Sequence, residues 1–79
     1  MAETILDLRG LKCPLPALRT RKALAAAEPG TTFLVQCTDP LAGIDIPNLV
    51  RETGDLFEGM KAADGYLTFR LRRAGLQES

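Results

Sequence analysis

Proline locks its own φ near −65° and has no backbone N–H. Two prolines separated by a single residue, Pro14 and Pro16 in the run "GLKCPLPALRTRK", therefore leave very few conformations open to that stretch. The middle of a strand would lose ladder hydrogen bonds and the middle of a helix would break. The first turn of a helix accepts both residues, because amides there have no intrahelical partner to lose. The spacing predicts a helix over 14–27, with Pro14 at its first position and Pro16 still in its first turn. At roughly 100° per residue, Ala17, Thr20, Ala23, Leu24 and Ala27 fall on one uncharged arc. Arg19, Arg21 and Lys22 fall outside that arc, and Leu18 lies at its edge. "EPG" at 28–30 ends the helix.

The rest of the chain divides readily. "TILDL" (4–8) alternates and reads as a strand with Leu6 and Leu8 on one face, and Gly10 turns the chain out of it. "TTFLVQCT" (31–38) is rich in β-branched and aromatic residues, with Phe33, Val35 and Cys37 on one face. Asp39-Pro40 opens a turn. Asp45 reads as the N-cap of a second helix with Pro47 in its first turn, and Ile46, Leu49, Val50 and Thr53 form its apolar stripe. Gly54 is placed to end it in the left-handed conformation. Residues 55–62 and 65–72 read as strands joined at "ADG", a hairpin signal, with Leu67, Phe69 and Leu71 inward and Tyr66, Thr68, Arg70 and Arg72 outward. The residues beyond 73 read as a frayed tail.

The order is βαβαββ. Strand–helix–strand crossovers favour parallel pairing, and the closing hairpin adds an antiparallel pair. The expected fold is an α/β (α+β) two-layer sandwich: a mixed four-stranded sheet with both helices on one face. With 79 residues, the chain reads as a single domain over 1–79, its ordered core spanning about 4–73.

Composition excludes several functions. There is no histidine, which removes the usual general base at neutral pH and with it a Cys-His hydrolase within this chain. Two cysteines without histidine are too few ligands for a zinc site. No cofactor is expected. No apolar run approaches the ~20 residues of a membrane span, and the acidic start "MAETILDLRG" does not read as a signal peptide, so a cytoplasmic protein without membrane contact is expected. Lys/Arg outnumber Asp/Glu five to two over 1–27 and three to one over 66–79, against two to seven over 28–65. These are local patches, too weak for direct nucleic-acid binding.

Cys13 precedes the expected helix, so its sulfur is expected near unpaired amides and the positive end of the helix dipole, with Lys12 and Arg9 nearby. Such surroundings lower a thiol pKa and make the sulfur a nucleophile. Lys12, Arg19, Arg21 and Lys22 would form a positive collar for a protein partner, and Asp45 would join that surface. Cys37 reads as a core residue.

"LDLRGLKCPLPALRTRKAL" followed by "PGTTFLVQCTDPLAGIDIPNLVRETG" resembles the TusA/SirA-like family of small sulfur carriers. Cys13, Pro14 and Pro16 match its C-P-x-P motif, and Asp39, Pro40, Asp45, Ile46, Pro47 and Gly54 match its second block. The resemblance covers about residues 5–72 and implies the same βαβαββ sandwich. It implies that Cys13 accepts a sulfane sulfur as a persulfide, acting as a sulfurtransferase that relays sulfur between proteins, with Pro14, Pro16 and Lys12 in support. The donor would be a cysteine desulfurase or rhodanese-like protein. The acceptor would belong to tRNA thiolation, molybdenum-cofactor supply or sulfur oxidation. Asp55 departs from members that carry histidine after the glycine. Two other readings are a non-catalytic regulatory or RNA/protein-binding module of this fold, and a redox sensor that pairs Cys13 with Cys37.

Overall fold

A computed structural model describes residues 3–74. The elements follow the expected order: β1 (Glu3–Leu8), α1 (Leu15–Ala26), β2 (Thr32–Cys37), α2 (Ala42–Thr53), β3 (Leu56–Ala63) and β4 (Tyr66–Arg72). The strands form one sheet in the order β1-β2-β4-β3. β1 and β2 are parallel, and β4 is antiparallel to both β2 and β3. The expected tail from residue 75 lies outside the described residues.

Sheet register explains the core. Val35 is opposite Leu6 on one side and Phe69 on the other, while Phe33 faces Leu71 and Cys37 faces Leu8 and Leu67. These rows point toward the helices. Val35, Cys37, Phe69 and Leu71 are fully buried there, together with Ile46 from α2 and Leu24 from α1. Each such side chain contributes about 1.5–3 kcal/mol through its removal from water. α1 buries Pro16, Thr20 and Leu24, so the expected arc is right and extends to the second proline. α2 buries Ala42, Ile46, Leu49 and Val50, leaving Thr53 half-buried.

The two helix starts differ from expectation. Pro14 is the N-cap of α1, with Leu15 and Pro16 as its first two residues, so Cys13 stands one position before the cap. The Cys13–Pro14 peptide is cis. α2 begins at Ala42, well before Asp45. Asp45 is therefore an acidic residue of the first turn and not the N-cap, and Pro47 lies inside the helix, where it cannot donate to the Gly43 carbonyl. The helix starts early because the Asp39 side chain and main chain accept from the amides of Leu41 and Ala42, both at 3.0 Å, doing the work expected of Asp45. The end of α2 is as expected, with Gly54 left-handed at φ 81°. The hairpin turn has both central residues at positive φ, Asp64 at 57° and Gly65 at 84°, as a tight two-residue connection demands.

On the sheet's open face, Arg70 pairs with Glu3 and Glu58, and Arg72 pairs with Glu58. Glu58 sits at a register shift in β3, which brings one carboxylate to both arginines. Beyond the end of α2, the buried Asp55 accepts from Thr53 Oγ1 at 2.7 Å, the Ala74 amide at 2.9 Å and Arg73 Nη1 at 3.3 Å. This carboxylate ties the end of α2 to the end of β4.

Candidate functional site

Parallel strands followed by helices on one face leave a crevice beyond their carboxyl ends, where loops converge. Here the loop after β1 carries Cys13, and the loop after β2 carries Asp39. Two contacts lace the loops together. The Gly10 amide donates to Thr38 Oγ1 at 2.8 Å, and the Cys13 amide donates to Asp39 Oδ2. Asp39 Oδ1 meanwhile holds the Leu41 amide, so one carboxylate couples the backbone at Cys13 to the start of α2.

The thiol is exposed at the meeting of two clefts. One, of about 450 Å³, is lined by Gly10, Leu11, Lys12, Cys13, Thr38, Asp39 and Pro40. The other, about 360 Å³, runs between the helices past Pro14, Leu18, Arg21, Asp45 and Glu52. Leu15, Leu18, Leu41 and Ile44 are all exposed, at 42–61% of their surface. A reactive group flanked by open clefts and apolar side chains suits approach by a protein better than by a free small molecule.

Cys13 Sγ donates to Asp45 Oδ2 at 3.2 Å. That hydrogen bond, followed by partial desolvation and the negative charges of Asp45 and Asp39, pushes the Cys13 thiol above its ordinary value. The direction is the reverse of the expected lowering, first because of the Asp45 hydrogen bond, and the helix start offers little to oppose it. A helix N-terminus stabilises an anion through its free N–H groups. Pro14 and Pro16 have none, and the Leu15 amide is committed to the Lys12 carbonyl at 2.8 Å. The residues that start α1 thus leave fewer free donors to steady a thiolate against the Asp45 contact. The Asp45 contact thus favours the thiol over the thiolate.

The positive collar is only partly assembled. Lys12 lines the first cleft beside Cys13. Arg21 lines the second, where it pairs with Glu52 at 3.0 Å. Arg19 and Lys22 are exposed on α1 but line neither cleft, and Arg19 is roughly 200° round the helix from Arg21. Arg9 turns away to the open face of the sheet, bonded to Asp7 at 2.8 Å and lying over the Tyr66 ring at 5.1 Å. Asp45 is brought to the site as expected, but it contacts the thiol itself. Asp39 was read as a turn residue and a match to the family's second block, not as a partner of the Cys13 loop. Its signal was a carboxylate in the loop after a strand parallel to the one preceding the cysteine.

Cys37 is free and fully buried, and burial, with Asp39 nearby, pushes its thiol up to about 11. An exposed thiol and a core thiol make a poor redox pair. Among the described residues no cluster of His, Cys, Asp or Glu could hold a metal ion, and no helix is long and apolar enough to cross a membrane. Arg70, Arg72 and Arg73 are each paired with a carboxylate, which reduces what the last strand offers to nucleic-acid phosphates.

Known proteins resemble this chain over nearly all of its length. The family model described as sulfurtransferase TusA matches residues 4–73. The sulfur carrier protein TusA of Allochromatium vinosum is 35% identical over 69 residues, covering 87% of this chain and 91% of that protein. A Neisseria meningitidis protein whose name marks it as a candidate sulfur carrier is 41% identical over 68 residues, covering 86% of this chain and 92% of its own. The crystal structure of a SirA-like protein from Desulfitobacterium hafniense superposes with a TM-score of 0.77 at 22% identity, covering 90% of this chain and 97% of that one, and so matches the fold. With this sandwich fold, an exposed cysteine directly ahead of two closely spaced prolines, and a match along nearly the full sequence, the chain belongs to the TusA family of sulfur carriers.

Proposed function

We propose that Cys13 accepts a sulfane sulfur from a donor protein, holds it as a persulfide, and hands it to an acceptor protein. One observation carries this reading: in a chain of a sulfur-carrier family, the exposed thiol stands where two clefts meet. A carrier must be reached from its donor and from its acceptor, and an open site serves both. Neither transfer needs oxidation or a cofactor. Each exchanges one S–S bond for another, at a rate set by the attacking thiolate and the leaving sulfur.

Pro14 and Pro16 fix the backbone that presents the thiol, and Lys12 contributes positive charge beside it. Arg21, with Leu15 and Leu18, belongs to the docking surface, and Arg19 and Lys22 extend it over the exposed part of α1. The donor is a cysteine desulfurase or rhodanese-like protein. The acceptor belongs to tRNA thiolation, molybdenum-cofactor supply or sulfur oxidation, in the cytoplasm. On this reading the protein is a sulfurtransferase.

The test is loading. Incubation with a cysteine desulfurase and free cysteine should add one sulfur atom to the intact protein, removable by a thiol reductant and mapped by peptide mass to Cys13. Cys13→Ser should take up none while retaining the wild-type melting curve. Loading on Cys37, or equal loading of the Ser variant, rejects the assignment.

A further inference from the structure

The carrier reading needs a thiolate at the moment of attack, yet the Asp45 contact favours the thiol. The groups that face Cys13 define the problem. From its own loop comes Lys12, from the loop after β2 comes Asp39, from α2 come Asp45 and Glu52, and from α1 comes Arg21, paired with Glu52. Asp39 is committed to the amides of Cys13 and Leu41. Glu52 is committed to Arg21. Asp45 alone among these carboxylates bonds the sulfur, at 3.2 Å, and that is its one hydrogen bond among the described side chains. Its place in the first turn of α2, half-buried against α1, fixes the carboxylate in front of Cys13.

We infer that Asp45 is the proton acceptor of Cys13: it keeps the sulfur as S–H in the unladen protein and takes that proton as the sulfur attacks. The inference rests on the reading of Cys13 as the sulfur-bearing residue. Its steps balance without a redox partner. Cys13 S–H passes its proton to Asp45 Oδ2. The sulfur then attacks the outer sulfur of a donor persulfide, R–S–S–H. The Cys13 S–S bond forms as the donor S–S bond breaks, and the electron pair leaves on the donor sulfur as R–S⁻. Asp45 returns the proton to that leaving thiolate, giving R–S–H and restoring the carboxylate. A chain without histidine still has a base for the exchange, placed on the reacting atom.

Two reactions of the same sulfur separate this role from a purely structural one. Alkylation by iodoacetamide reads how much thiolate is present. Sulfur uptake from glutathione persulfide reads transfer, including its proton steps. In wild type, the alkylation profile should place Cys13 above a free cysteine, and a profile at or below it overturns the inference without any variant. In Asp45→Asn, alkylation near neutral pH should speed up by about threefold or more, because the group that holds the proton is gone. Sulfur uptake per unit of thiolate should fall about tenfold or more, within the range general bases contribute. Asp45→Glu should recover part of that loss. Uptake that rises in step with alkylation shows an electrostatic effect alone and overturns the inference, as does alkylation unchanged in Asp45→Asn. If wild type takes up no sulfur from any donor, the carrier reading falls, while the alkylation arms still decide whether Asp45 holds the thiol.

Discussion

Two aspartates bracket α2, and they are used in opposite ways. Asp45, in the first turn, is half-buried and gives one hydrogen bond's worth of attention to an exposed thiol. Asp55, just past the end, is 8% exposed and accepts from a hydroxyl, a backbone amide and a guanidinium. A buried carboxylate is tolerated when its lone pairs are filled by the fold, and the result is a clamp. A carboxylate with spare capacity beside a reactive sulfur is free to exchange a proton. On the proposed reading, the opposite ends of one helix separate holding the chain together from handling the cargo, and substitutions at each end should separate the same way.

The widest gap is at the thiols. Cys13→Ser should abolish sulfur loading and leave stability within about 0.5 kcal/mol, as for an ordinary surface change. Cys37→Ser should do the reverse. It puts a hydroxyl into a fully buried site opposite Leu8 and Leu67 in the sheet, at a cost of about 1–3 kcal/mol, with loading of the folded protein unchanged. Mass spectrometry of the loaded proteins and thermal melts check both. If Cys37→Ser lost loading while melting normally, the division between the thiols would fail.

Asp55 offers the largest expected loss of stability. In Asp55→Ala, Thr53 Oγ1 and the Ala74 amide lose an acceptor, and Arg73, 28% exposed at its side chain, loses its counter-charge. The expected cost is about 2–4 kcal/mol, somewhat less than for a fully buried pair because Arg73 reaches water. For a chain this short, that lowers Tm by about 10 °C or more. Alkylation of Cys13 below the melting range should not change. A melt shifted by less than about 2 °C would reduce the clamp to an incidental contact.

How much of this could be read from the residues depends on how local each cause is. The strand alternations, the Gly54 stop and the Asp64–Gly65 turn are set by neighbours in sequence, and each appears within a residue or two of its expected place. Cys13 was legible because two prolines two residues apart allow few settings. The direction of its pKa was not legible, because its first cause is the hydrogen bond to Asp45. Asp45 could not be read as a thiol partner. Thirty-two positions separate it from Cys13, and the contact exists only because α1 and α2 lie side by side. Asp55 carried little local sign of burial either, since two of its three partners, Arg73 and Ala74, come from past the end of β4.

A smaller effect tests the space between the two ends. Thr20 faces the core from the middle of α1, fully buried, and its hydroxyl has no partner among the described residues. It is the counterpart of Asp55: equally out of water, but unsatisfied. Valine has nearly the same shape without the hydroxyl, so Thr20→Val exchanges an unpaired polar group for a methyl that the surrounding Leu24 and α2 side chains can accept. The variant should be more stable by about 1 kcal/mol, raising Tm by about 4–8 °C, with sulfur loading unaffected. Loss of stability would mean that the hydroxyl is satisfied in solution, for instance by a buried water. Unchanged stability with slower loading would tie Thr20 to the working end of the molecule, and the separation between holding and handling would then have to be drawn elsewhere along α1.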